Sequence, residues 1–311
     1  MTEIFVHIDA MGATFGNGGF RGLVHFAQAL GEMGYDVKVF DQENRLKEKS
    51  FGWLSFPGRD FKIVPVIDVV KGTGVIVTSW LNVLMHGPKL MLKVDKERIR
   101  YRESSELVRD GFPFVRAFAR DICKKISINN RSLVHHYNRL GFMKIISLEP
   151  YFRKELFYQE RKSKVPGLVG HQSDNRRRNV YGYIKKHFGT VVRCEGTQAQ
   201  VAKRMRQCDY FVFWNRMPGC IKIFQGETTG TSLFEAMACG CVCVARRHEG
   251  NKFLEGIIPL VNREKDIAPI IKKLIGNPAE RDKIRVKSFA AIESRFRLDD
   301  QKRANMVELI A

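Results

Sequence analysis

No stretch of the chain stays apolar for the roughly eighteen positions a membrane-spanning helix needs. The opening MTEIFVHIDAMG carries acids where a secretory leader needs basic residues. The protein is therefore expected in the cytosol. Internal repeats and low-complexity segments are missing too. GNGGF at 16–20 lacks the G-x-G-x-x-G spacing of a dinucleotide site, which counts against a dehydrogenase. There are 7 cysteines in 311 residues, with no C-x2-C pair and no small-domain spacing, so neither a zinc cluster nor a disulfide scaffold is indicated. Cys239, Cys241 and Cys243 alternate along one apolar run and should be buried free thiols. Acids are scarce: 33 Asp and Glu face 53 Lys and Arg, a formal charge of +20. Residues 1–80 hold 8 basic against 9 acidic side chains, 81–164 hold 19 against 9, and 165–311 hold 26 against 15. Such a field draws in polyanions: nucleotides, nucleic acid or an anionic bilayer.

What is present reads as α/β. EIFVHI at 3–8 is a strand, DAMGATFGNGG a glycine loop, and RGLVHFAQALGEMGY a helix with Leu23, Val24, Phe26, Ala27 and Leu30 at helical spacing. DVKVFD then supplies a second strand, completing a βαβ unit with its loop at the carboxyl end of the first strand. Further strands are expected at FKIVPVID, GVIVTSW, RIRYRES and KIISLEP, and PFVRAFARDICKKISI as a helix entering a strand. YFRKELFYQERKSKVP, closed by Pro166, is the expected linker at about 152–166, between a first domain at 1–155 and a second at 166–311. The second domain continues with PGLVG, a helix around VYGYIKKHF, the strand TVVRC, a helix at QAQVAKRMRQC and the strand DYFVFW. Residues 263–311 read as two or three amphipathic helices on the outside of the second sheet.

The chain is organised around QGETTGTSLFEAMACGCVCVARRHEGNKFLEG, residues 225–256. Glu227 and Glu235 stand eight positions apart with Gly230 between them. A small-residue helix, FEAMACG, follows and is stopped by Gly240, and CVCVA is a buried strand. Free N–H groups at a helix start attract anions, and a glycine there lets a phosphate or sugar approach. Carboxylates in the loop and one to two turns into the helix can accept hydrogen bonds from sugar hydroxyls.

This stretch resembles the E-x-F-G-x-x-x-x-E-A-M-A-x-G-x-P-V-V-A pattern of retaining, nucleotide-sugar-dependent glycosyltransferases of family four. Glu227, Gly230, Glu235, Ala236, Met237, Ala238 and Gly240 match it, with Thr229 in place of the aromatic and Cys243 at or beside the proline. The resemblance implies a GT-B fold, two Rossmann-like domains whose parallel sheets face a central cleft, with the acceptor on the first and the donor on the second. It also implies a donor such as a UDP- or GDP-sugar, no other cofactor and no metal; the absence of a D-x-D pair argues against the metal-dependent GT-A fold. By it, Glu235 would bind the ribose, Glu227 the transferred sugar, and Arg178 with the amides of Gly230, Thr231 and Ser232 the diphosphate. GHQSDNRRRN at 170–179 stands where the family has G-R-x4-K-N. Arg178 and Asn179 match its K-N pair, and His171 takes the place of its arginine, so that Arg176 or Arg177 would assist. Gly18 and Gly19 match the family's G-G after the first strand.

The family's acceptor-side histidine has no counterpart in RIRYRESSE, which leaves Glu103 or Ser104 as candidates and His86 as a weaker one. Retaining members need no strong base, because the departing phosphate takes the acceptor proton. The basic segment from Lys89 to Lys125, with Phe114, Phe118 and Ile122 on one helical side, fits an anionic membrane surface or a phosphate backbone. The expected acceptor is a membrane-associated glycolipid or surface glycan precursor, approached by a protein peripheral at the inner membrane face. DNA carrying a hydroxymethylated base is the alternative acceptor. A third reading is a non-catalytic polyanion- or nucleic-acid-binding protein.

Overall fold

The computed structural model describes residues 3–8, 18–52, 61–79, 93–102, 117, 119–128, 134–139, 141–149, 151–160, 163–171, 178–214, 230–247 and 249–311, the side chains at 18–21, 136, 178–179 and 249–250 excepted. By contacts the chain forms two compact units, Met1–Pro150 with Asp299–Ala311, and Tyr151–Leu298.

In the first unit β1 (Glu3–His7), α1 (Gly18–Glu32), β2 (Asp36–Phe40), β3 (Lys62–Ile63), α2 (Val66–Lys71), β4 (Val75–Thr78), β5 (Ile99–Arg102), β6 (Lys125–Ile128), α3 (Val134–Arg139) and β7 (Ile145–Ser147) follow in order. The strands form a parallel sheet ordered β3-β2-β1-β4-β5-β6-β7. The middle strand β4, VIVT, and the interior of β1, IFV, are apolar as a parallel sheet covered on both faces favours, whereas β5, IRYR, buries Arg100 and Arg102 between its apolar residues. Leu23, Val24, Phe26, Ala27 and Leu30 of α1 are all fully buried, the helical stripe expected from their spacing. The βαβ unit forms as expected, although α1 begins at Gly18 rather than after the glycines. The expected strand FKIVPVID divides: β3 ends at Ile63, and Pro65 is the N-cap of α2. Proline fixes φ at a helical value and lacks the N–H that a ladder would need, so a helix starts there.

The second unit contains β8 (Val165–His171), α4 (Arg178–Phe188), β9 (Val191–Arg193), α5 (Gln198–Gln207), β10 (Cys208–Phe213), α6 (Thr231–Ala238), β11 (Val242–Arg246), β12 (Leu260–Val261), α7 (Ile267–Ile275) and α8 (Pro278–Phe296). Its parallel sheet is ordered β12-β11-β10-β8-β9, so the strand order reverses between β8 and β10. One face packs α6 with Phe211, Phe213, Cys241, Cys243, Ile292 and Phe296. The other packs Val180, Ile184, Ile271 and Leu274 against Val169, Val212, Trp214 and Val244. Thr197 caps α5 in a reciprocal box with Gln200, and Asn277 accepts from the Glu280 N–H ahead of Pro278 at the start of α8. The segment expected as a linker is packed into this unit. Phe152 and Phe157 are buried in its core, and the Phe152 N–H donates to the Phe296 carbonyl at 3.0 Å.

The last helix, α9 (Asp300–Ile310), corrects the expectation that residues 263–311 cover the second sheet. It packs on β6, β7 and α1 of the first unit. Arg100, 2% exposed, donates through Nε to the Leu309 carbonyl at 2.9 Å and through a terminal nitrogen to the Ala311 carbonyl at 3.3 Å. Lys125 donates to the Glu308 carbonyl at 2.6 Å, and Asn305 to the Ser147 carbonyl at 2.7 Å. Cations thus meet the carbonyl end of the helix, where its dipole is negative.

Candidate active site

In an open parallel sheet, loops at the carboxyl ends of strands flanking the order reversal form the natural ligand crevice. In the second unit these are the ends of β8 and β10. His171 is the last residue of β8; it is 1% exposed, and its Nδ1–H donates to the Val212 carbonyl of β10 at 2.9 Å. One residue past Val212, Phe213 sets the position of α6. A Cβ on Gly230 would stand 2.0 Å from the Phe213 Cζ, so only glycine lets the helix start there.

Gly230 is the N-cap of α6 and supplies no side-chain cap. A glycine N-cap offers no oxygen of its own to the first-turn N–H groups, unlike Ser, Thr, Asp or Asn. One turn further in, Glu235 is fully buried. The helix ends as its sequence demands: Gly240 sits at φ 75°, its N–H donates to the Met237 carbonyl at 2.9 Å, and the Cys241 N–H reaches the Ala236 carbonyl at 3.0 Å. Phe234 stacks on Phe296 with centroids 3.8 Å apart, tying α6 to α8. The N-terminus of α6 is therefore held rigidly on one layer of the sheet.

Cys239, Cys241 and Cys243 are free, fully buried thiols. Burial pushes all three up, Cys241 to about 12, which removes them as nucleophiles or ready metal ligands. Among the described residues no group of three or more His, Cys, Asp and Glu side chains converges as a metal site would need.

Of the residues singled out from sequence, His171, Gly230, Thr231, Ser232 and Glu235 share the carboxyl edge of the second sheet. Arg178 is the first residue of α4. Gly18 and Gly19 open α1 in the first unit. Glu227, Arg177, Arg176, Glu103, Ser104 and His86 lie outside the described residues. Sequence reasoning missed Trp214, Arg246, Asn262 and Arg263, which follow the apolar runs of β10, β11 and β12 at the same edge. Their signal was present: FVFW, VCVA and PLV are each followed by a pair drawn from Asn and Arg.

Much of the basic stretch from Lys89 to Lys125 has internal employment. Arg98 donates to the Gly74 carbonyl at 2.7 Å and the Val69 carbonyl at 2.9 Å, Arg102 lies 5.1 Å from the Phe26 ring centroid, and Lys124 pairs with Glu97 at 2.5 Å. In the second unit Lys164 donates to the carbonyls of Arg206, Cys208 and Cys239 at 3.2, 2.8 and 2.8 Å. Among the described residues no helix is long and apolar enough to cross a membrane.

No protein-family profile and no curated relative matches the chain. Solved structures do. HepE of Anabaena in complex with UDP-glucose is similar at a TM-score of 0.72 with 14% identity, covering 99% of each chain. The sucrose-phosphate synthase of Thermosynechococcus elongatus is similar at 0.68 with 13% identity, over 99% of this chain and 97% of the other. An alpha-glucosyltransferase in complex with UDP and a 13-mer DNA containing an HMU base is similar at 0.64 with 9% identity, over 100% of both. At such identity the likeness is one of fold, and the chain has the two-sheet GT-B fold of these glycosyltransferases.

Proposed function

We propose that the protein is a nucleotide-sugar-dependent glycosyltransferase of the retaining kind. The observation that carries this reading is the N-terminus of α6, opened by Gly230 at the carboxyl edge of the second sheet, with Glu235 one turn behind it. Amides at a helix start are suited to a diphosphate, and they act without reorganising as charge develops on the leaving group. In this reading Gly230, Thr231 and Ser232 present their N–H groups to the diphosphate, with Arg178 and Arg177 adding charge, His171 lining the donor and Glu235 holding the ribose. Glu227 holds the transferred sugar. The bond from the anomeric carbon to the phosphate oxygen breaks, the acceptor oxygen bonds to that carbon from the same side, and the departing phosphate takes the acceptor proton. Glu103, outside the described residues, is the acceptor-side candidate of this reading, and Gly18 and Gly19 are assigned to donor binding.

The acceptor in this reading is a glycolipid or surface-glycan precursor met at the cytosolic membrane face. Binding to anionic vesicles without binding to duplex DNA supports that acceptor; the reverse pattern, with a steep salt dependence on DNA, replaces it. The enzyme reading is tested by melting the protein with a panel of UDP- and GDP-sugars. A donor at about a hundred times its dissociation constant contributes about 2.7 kcal/mol, which raises the melting point by several degrees. A flat panel, with no hydrolysis of any donor, overturns it.

A further inference from the structure

The helix α6 is held at both ends. At its start, Gly230 abuts the Phe213 ring. At its end the chain turns at Gly240, and the last carbonyls of a helix have no partner within it. Two cations from outside the helix take them. Lys164, which precedes β8, donates to the Cys239 carbonyl at 2.8 Å, and Arg285 of α8 donates through Nε to the Gly240 carbonyl at 2.8 Å. We propose that Arg285 and Lys164 are positioning residues for donor binding: they fix α6 along its axis, and so set where its N-terminal amides meet the diphosphate. This role rests on the glycosyltransferase reading.

Arg285 is itself anchored to the sheet. One terminal nitrogen of its guanidinium pairs with Asp209, the second residue of β10. That carboxylate is 4% exposed and also accepts from the Gly167 N–H of β8 at 3.3 Å. Bonds thus run from two inner strands through one planar cation to the end of α6. A guanidinium carries its donors in a rigid fork, so one side chain holds Asp209 and Gly240 at a fixed spacing. Lys164 makes a similar tie, because its ammonium also donates to the Cys208 carbonyl at the start of β10 at 2.8 Å. Both cations stand at the negative end of the helix dipole.

Apolar packing leaves this coordinate soft. Leu233, Phe234, Ala236 and Met237 bury the side of α6, but burial of apolar surface has no preferred direction along a helix axis. Charged hydrogen bonds do have direction, and they are short and strong. The helix is 8 residues long, about 12 Å, so a shift at Gly240 reaches Gly230 through one short rod. Site geometry is unforgiving: a misplacement of about 1 Å can cost about a hundredfold.

Titration calorimetry with UDP or GDP, whichever binds the wild type more tightly, tests the assignment in Arg285→Met, Arg285→Lys, Lys164→Met and Arg281→Met. Arg281 is the control: it reaches the same Asp209, at 3.6 Å, with no bond to α6 among the described residues. The dissociation constant should rise at least about tenfold in Arg285→Met and in Lys164→Met. Arg285→Lys, which keeps the charge but not the fork, should fall between wild type and Arg285→Met. Arg281→Met should stay within about threefold of wild type, the scale of a contact that does not touch the site. Each titration is run where circular dichroism shows the variant at least about nine-tenths folded, because unfolding weakens apparent binding only in proportion to the folded fraction. A purely structural role would then lower the melting point and leave the dissociation constant alone, which overturns the proposal. An equal rise in Arg281→Met gives the effect to α8 as a whole and overturns it too. Should Arg285→Met not fold, Lys164→Met against Arg281→Met decides. Failure of UDP and GDP alike to bind the wild type removes the glycosyltransferase reading and this role with it, whereas normal wild-type binding with unaltered variants removes this role alone.

Discussion

Single side chains explain where much of the charge goes. Arg100 is a β5 residue buried under the last helix, and besides Leu309 and Ala311 it donates to the Glu97 carbonyl at 2.6 Å. Burial pulls its guanidinium down from its ordinary value, yet an arginine stays protonated and continues to donate. Replacing it with methionine keeps much of the volume and strands these carbonyls without donors. Arg100→Met should therefore cost about 2–4 kcal/mol in urea unfolding, the range for breaking a buried charged network. An unchanged midpoint would mean that the contacts are incidental. The same logic applies to Lys164, which closes three carbonyls of the second unit. A charge of +20 looked like an external field; a share of it serves as internal capping. Composition cannot distinguish these uses, because the carbonyl that Arg100 reaches on Leu309 lies 209 positions away.

At the level of the element, α6 concentrates the argument. FEAMACG was legible as a helix with a glycine stop because Gly240 needs a positive φ that other residues resist. Less legible was the reason for Gly230, since its φ of −64° is open to any residue and only the Phe213 ring forbids a Cβ. Gly230→Ala should therefore act by crowding: about 1–3 kcal/mol lost in stability as ring or helix shifts, together with weaker UDP binding. Calorimetry and denaturation on the same variant check both. Full donor affinity at wild-type stability would show that the helix start tolerates displacement. Elsewhere, long periodic elements were readable and short ones were not. The α1 stripe announced itself over 15 residues, whereas VPVIDVVK, six helical residues opened by a proline, is too short for periodicity to separate helix from strand.

For the whole molecule, the second unit's core couples folding to proton occupancy. Cys239, Cys241 and Cys243 are held above the ordinary thiol value of 9.0 by burial, and Cys208 by its hydrogen bond with Cys194 and by burial. Their stabilisation is complete below the unfolded thiol value and is lost as pH rises from there toward the folded value. For Cys241 that window runs from 9.0 to about 12. Each such thiol should remove about 1.4 kcal/mol per pH unit within its window, so urea midpoints at pH 8, 9 and 10 should fall progressively more steeply. A flat profile to pH 10 would contradict buried, protonated thiols. The two-sheet α/β architecture was legible in the order of apolar runs and glycine loops. Where the chain ends in space was not: α9 returns to the first unit through contacts that no local pattern encodes. The proposal to be tested is that in the second unit the glycine-led start of α6 and the carboxylate one turn behind it hold an activated sugar. Calorimetric titration of the best UDP- or GDP-sugar into wild type and Glu235→Gln tests it most directly. The account predicts a saturable site in the wild type, weakened about tenfold or more in the variant, since a hydrogen bond to a charged group contributes about 1.5–3 kcal/mol. Identical affinities in a folded variant, or no saturable binding of any nucleotide sugar, would contradict it.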